Sequence, residues 1–146
     1  MAHTIKQLEQ FLKELPAKVQ EAADITLKRS ALKIQKDIVD IFKTQGRSQG
    51  IEWAPLTKPY LKEKIRKGYS EKKLIRTSTL MQSWTWRLHP WMAVVGTEVQ
   101  YAIYNEMGTY KMPARPFAKP VKEAFEKEKV AEKLFVKTLD EVLKGV

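Results

Sequence analysis

Cysteine is absent from the 146 residues, and only two histidines occur. The first absence excludes a disulfide framework, a cysteine-based zinc site and a thiol nucleophile. It fits a protein made in a reducing cytoplasm. The second leaves little for acid–base or metal chemistry. His3 lies at an end expected to fray, and His89 precedes Pro90, where it reads as a turn residue. Long apolar runs are missing too. Met1-Ala2-His3-Thr4-Ile5-Lys6 lacks the apolar core of a signal peptide. No stretch approaches the roughly 18 apolar residues of a membrane span. The expectation is a product with no membrane contact that stays where it is made unless built into a particle.

Glycine-dependent chemistry is equally scarce. Gly46 and Gly50 are not followed by the Lys-Ser/Thr pair of a phosphate loop. No Gly-x-Ser-x-Gly elbow is present. Between residues 77 and 117 the only acids are Glu98 and Glu106, so no acidic cluster for a metal-dependent nuclease falls on the expected strands or loops. The chain reads as a non-enzyme with no cofactor.

What is present is positive charge and length for one domain, 1–146. The formal charge is +10. Over residues 57–76, eight cations against Glu63 and Glu71 leave +6, so the rest of the chain supplies only +4. Lys62, Lys64, Arg66, Lys67, Lys72, Lys73 and Arg76 are the candidate polyanion contacts. A local field of that size attracts nucleic acid or an acidic protein face. A lysine-rich solvated face is the other reading.

Periodicity predicts an α+β fold: long N-terminal and C-terminal helices packed on a small antiparallel sheet. Ile5, Leu8, Leu12 and Leu15 have helical spacing up to Pro16, which should interrupt or end the turn. A second helix is expected over about 17–43, with Leu27, Ala31, Ile34, Ile38 and Ile41 in one stripe. Ile25, Leu32 and Val39 flank that stripe, and Gly46 is the expected cap. After an irregular stretch anchored by Trp53 and Leu56, Thr57 and Pro59 open a short basic helix that ends at Gly68. Its lysines should lie mostly off the apolar side. A hairpin is expected at about 83–96, turning at His89-Pro90, with Trp84, Trp86 and Leu88 alternating along one strand. With Trp91, these read as a greasy sheet face under the helices, or as a stacking platform for bases. A short helix at 101–107 and one final helix at about 118–143 complete the chain.

Four strings, in order, carry a resemblance. They are Trp53-Ala54-Pro55-Leu56-Thr57 with Tyr60-Leu61, Lys64 and Gly68; Leu74-Ile75-Arg76-Thr77-Ser78-Thr79-Leu80 with Ser83; Val94-Val95-Gly96-Thr97 with Tyr101-Ala102; and Glu106-Met107-Gly108 with Met112-Pro113-Ala114-Arg115-Pro116-Phe117. Over about residues 40–120 the chain resembles the virion-morphogenesis and tail-completion proteins of tailed phages, including Mu-like prophages. The family often has Gly where Ser78 stands, and His-Gln before Phe-Gly where this chain has Tyr104-Asn105-Glu106-Met107-Gly108.

The resemblance implies a structural virion component at the top of the tail or at the head–tail joint. It would be made in the host cytoplasm, bind other phage tail or neck proteins, and form a homo-oligomeric ring. The candidate interface residues are Trp53, Tyr101, Glu106, Pro113, Arg115, Pro116 and Phe117. Pro113 and Pro116 brace Arg115, and Phe117 anchors the last helix. Arg115 either reaches a partner's carboxylate or satisfies nearby helix-end carbonyls of its own chain. The alternative function is sequence-independent DNA binding through the basic segment, by phosphate contacts.

Overall fold

The computed structural model describes residues 4–145; His3 lies outside them. Among the described residues the fold is α+β, with six α-helices and one two-stranded antiparallel sheet. A single helix, α1 (Ile5–Lys43), forms the spine. Thr4 starts it with a capping box, since its side chain accepts from the Gln7 N–H and the Gln7 side chain accepts from the Thr4 N–H.

Pro16 does not divide this helix, contrary to the sequence expectation. The proline removes one N–H, and the carbonyl it would have met belongs to Leu12. Both residues are exposed, so water can take that carbonyl. The stripe Leu27, Ala31, Ile34, Ile38 and Ile41 does face inward; Leu32, on the flanking line, is 43 % exposed.

The end of α1 is a Schellman closure. The Gln45 N–H donates to the Phe42 carbonyl and the Gly46 N–H to the Ile41 carbonyl. Gln45 takes the left-handed conformation, at φ 57°, and Gly46 follows at φ 93°. A 3₁₀ turn (Arg47–Gln49) then leads to an irregular stretch and to α2 (Lys58–Arg66). Thr57 is the N-cap as expected, but its side chain makes no capping bond. The four-residue helix α3 (Thr79–Gln82) begins after Ser78, whose φ is 62°. That left-handed backbone is one that glycine adopts without steric cost.

Strands β1 (Thr85–His89) and β2 (Met92–Gly96) pair in register from Thr85 with Gly96 to His89 with Met92. The turn is Pro90-Trp91, one residue later than expected, with Trp91 at φ 60°. The covered sheet face is only partly realised. Trp84 is buried, Trp86 half-buried, and Leu88 and Trp91 are 41 % and 63 % exposed. The hairpin stands on α1 at its base, where Gln35 donates to the Trp84 carbonyl at 2.6 Å, and its tip projects.

After α4 (Ala102–Met107), the expected last helix is two: α5 (Ala118–Lys127) and α6 (Val130–Lys144), broken at Lys129 with φ 51°. Both Val121 and Thr138 are buried. Seventeen residues of uninterrupted helix would turn about 260° beyond whole turns and carry them to different sides. The break lets both face inward. Small residues on α1, Ala22, Ala23, Thr26 and Ser30, are buried on the stretch that meets α6, with Arg29 bonded to Thr138 and Glu141.

The core lies where α1, α5, α3 and the hairpin base meet. Phe42 touches Trp53 (centroids 5.8 Å apart) and Phe117 (4.9 Å), and Trp84 stands edge-on to Phe117 at 5.7 Å. Truncating such an aromatic to alanine costs about 3–5 kcal/mol.

Gly46 tests the geometry at the end of the spine. An added Cβ would sit 2.4 Å from the Ile51 carbonyl oxygen on a backbone already at φ +93°. Gly46→Ala should lower unfolding free energy by about 2–4 kcal/mol in urea titration. Gly50→Ala, where the added Cβ meets nothing within 4 Å, should cost only about 1 kcal/mol.

Candidate functional site

Two irregular segments, 50–57 and 108–117, cross the core without strand partners, so their main-chain groups need other partners. Side chains supply them. Trp53 Nε1 donates to the Pro116 carbonyl at 2.8 Å. Arg115 answers in the other direction, donating from Nε to the Ala54 carbonyl and from a terminal nitrogen to the Pro55 carbonyl, both at 3.0 Å. Lys73 Nζ donates to the Trp53 carbonyl at 2.7 Å, and Lys64 Nζ to the Lys72 carbonyl at 2.6 Å. Gln45 bonds both main-chain groups of Lys73 and so ties the 69–76 loop to the end of α1.

Glu106 fixes α4 against α5. Its carboxylate accepts the N–H groups of Phe117, Ala118 and Lys119 at 2.8–3.0 Å. Phe117, the N-cap, has no capping bond of its own, so an acid from a neighbouring helix fills that role and meets the positive end of the α5 dipole. The Arg115 N–H donates to the Asn105 carbonyl at 2.8 Å. Gly108 completes the clamp: a Cβ there would meet Ala114 N at 2.7 Å, so only glycine permits this approach.

Among the candidate interface residues, Trp53, Arg115 and Phe117 are therefore buried struts, and Glu106 is a helix cap. Arg115 satisfies carbonyls of its own chain, as the second reading had it, but they belong to the irregular 50–57 segment and not to a helix end. Pro116 is half-buried, while Pro113 and Tyr101 are exposed. The struts hold up an apolar surface. On α4 and the following turn, Ile103 is 58 % exposed, Tyr104 57 %, Met107 73 % and Tyr110 92 %. Tyr101 joins them. Beside it opens a cleft of ≈ 580 Å³, lined by Leu56, Tyr60, Leu74, Ile75, Tyr101 and Met112 among others. Ile103, Tyr104, Met107 and Tyr110 escaped the sequence reading. Their signal was a six-residue helix whose large apolar side chains, Ile103, Tyr104 and Met107, share one side while Ala102 lies on another, so that one side alone can be buried.

The basic segment is not one field of free charge. Lys64, one of the candidate polyanion contacts, is 1 % exposed and removed from any surface contact. Burial pulls its pKa down, with the Arg76 charge adding to the fall. Lys73 is half-buried on the Trp53 carbonyl, and Lys72 reaches the Lys43 carbonyl at the end of α1. Lys67 and Arg76 both contact Glu63. Hydrogen bonding to Tyr60 and the charge of Glu63 raise the Arg76 pKa, and the guanidinium stacks 4.7 Å from the Tyr69 ring centre. What remains is a row on α2, Lys58, Lys62 and Arg66, spaced four residues apart, exposed, and without a carboxylate partner among the described residues.

His89, at the end of β1, is exposed and pairs with Met92. Among the described residues no group of three or more His, Cys, Asp or Glu could hold a metal ion, and no helix is long and apolar enough to cross a membrane. The geometry offers docking surfaces, apolar and cationic.

A sequence model of the phage virion morphogenesis family matches residues 3–133. No curated protein and no solved structure matches the chain.

The buried ammonium gives a pH test. Lys64 has a folded pKa below its unfolded value, so between the two the unfolded chain binds more protons and stability rises with pH. As pH rises toward the ordinary lysine value of 10.5, the wild type should gain stability relative to Lys64→Met in paired urea titrations. A difference that stays flat over that range would mean the ammonium is not desolvated.

Proposed function

The chain belongs to the phage virion morphogenesis family, and from that premise we propose that it completes the tail or joins head to tail as a ring-forming subunit. It works by binding other tail or neck proteins, with no turnover, and resides in the virion after assembly in the host cytoplasm. The observation that carries this reading is the α4 surface. Large exposed apolar side chains gathered on one short helix mark a protein contact. Tyrosine and methionine suit such a contact, because both are enriched at interface cores. The supporting struts, Glu106 on α5 and Arg115 on the Ala54 and Pro55 carbonyls, keep that surface rigid, so little ordering cost attends docking.

The test is co-assembly of the purified chain with tail and neck proteins of the same phage, followed by electron microscopy and native mass measurement. A ring-like oligomer, alone or on tails, is expected. Tyr104→Lys combined with Met107→Lys should abolish attachment while changing unfolding free energy by less than about 1 kcal/mol, since both side chains are exposed. Attachment that survives the double variant would remove the α4 surface from the mechanism.

The free cationic row on α2 favours a second reading, contact with the DNA that passes through a tail or neck. Lys58, Lys62 and Arg66 would meet phosphates without reading sequence. Retention of the native chain on duplex DNA should fall steeply as salt rises, and reversing all three residues to Glu should abolish it. No retention at low salt would end this reading.

A further inference from the structure

The first turns of α1 carry an apolar seam that is exposed from Ile5 to Leu12 and half-buried at Leu15 and Val19. Ile5, Leu8, Leu12, Leu15 and Val19 follow one another at spacings of three, four, three and four residues. Phe11, 37 % exposed, lies beside this line between Leu8 and Leu15, so the apolar face is wide enough to pack along another helix. Ile5 is 79 % exposed, Leu8 52 % and Leu12 56 %. The same seam runs on into Ala22 and Thr26, which are buried where α6 lies against α1. From Phe117 beside Phe42 to Thr138 beside Arg29, α5 and α6 run back along the spine. Full burial on α1 begins at Ala22 and partial cover at Leu15, so the exposed part of the seam, Ile5–Leu12, spans about two turns.

This arm is poorly suited to stand alone. About 15 residues make a marginal helix in water, and an internal proline costs about 3 kcal/mol. Its charge points to what covers it. On a chain of formal charge +10, residues 5–21 hold Lys6, Lys13 and Lys18 against Glu9, Glu14 and Glu21, a net charge of zero. Two copies repel each other most through the basic 57–76 segment; along this stretch they can approach without that penalty.

We propose that Ile5–Val19 is a self-association helix, the arms of two copies pairing along the seam and extending the helix-on-helix packing that α6 supplies further along. The proposal rests on the self-association part of the function proposed above and names the surface that performs it. The α4 surface is then left for other virion proteins.

The chain has no cysteine, so Leu8→Cys, Leu12→Cys and Leu15→Cys each introduce a single thiol. Mild oxidation of the full chain should give a disulfide-linked dimer with at least one of them. Val136→Cys, on α6 and 67 % exposed, should give none. In parallel, Leu8→Lys with Leu12→Lys should halve the solution mass and leave the melting of the folded body in place. The proposal is overturned if the unaltered chain is monomeric at its highest soluble concentration, if its mass is unmoved by the two lysines, or if arm thiols link only to another virion protein. Rings that persist in the double lysine variant would sink the arm and keep the ring. Arm-linked dimers that never form rings would keep the arm and sink the ring.

Discussion

Everything in this molecule depends on how two irregular segments cross a core that offers them no strand partners. A buried main-chain carbonyl without a donor costs as much as a lost hydrogen bond. Here the donors are side chains. Trp53 meets Pro116, Arg115 meets Ala54 and Pro55, and Lys73 meets the Trp53 carbonyl. The pairing is reciprocal, each segment sending a long side chain to the other's backbone. Three of these donors would look like binding residues in a sequence. In the fold they are the fasteners of loops that no helix or sheet stabilises.

That fastening explains how apolar surface can remain exposed on a firm base. Glu106 holds α4 against the start of α5, and Gly108 lets the following loop fold back on it. Ala102 is the residue of α4 that reaches the core and Glu106 turns onto α5, while Ile103, Tyr104 and Met107 are left outward. A six-residue helix has one inward position of this kind, so its apolar excess must face something else. The hairpin repeats the pattern. Its base is covered by α1 and its tip, with Leu88, Trp91 and Met92, is not.

The charge of the chain divides in a similar way. Of the seven cations singled out between residues 62 and 76, Lys64, Lys72 and Lys73 donate to main-chain carbonyls, while Lys67 and Arg76 contact Glu63. The outward field on α2 comes instead from Lys62 and Arg66 together with Lys58, which pair with no carboxylate among the described residues. Net charge thus overstates the field offered to a polyanion, because a cation inside a loop is balanced by oriented carbonyl dipoles and withheld from solvent.

The sequence by itself determined the fold class, the α1 stripe from Leu27 to Ile41, the basic helix from Thr57, the hairpin and the short helix closed by Gly108. Each rests on a local rule, a period or a turn residue, that neighbours along the chain enforce. It also marked the strings that identify the family, including Ser78 at a position whose φ of 62° suits glycine. It misjudged Pro16, because the cost of a proline in a helix depends on whether its orphaned carbonyl reaches water. It missed the break at Lys129, because nothing local forbids a helix there; the need for Val121 and Thr138 to face the core forces it. The roles of Lys64, Glu106 and Arg115 were decided only by tertiary structure. A charged side chain has the same local preferences whether it ends in solvent or on a carbonyl. Which of these it meets depends on residues 8 to 61 positions away.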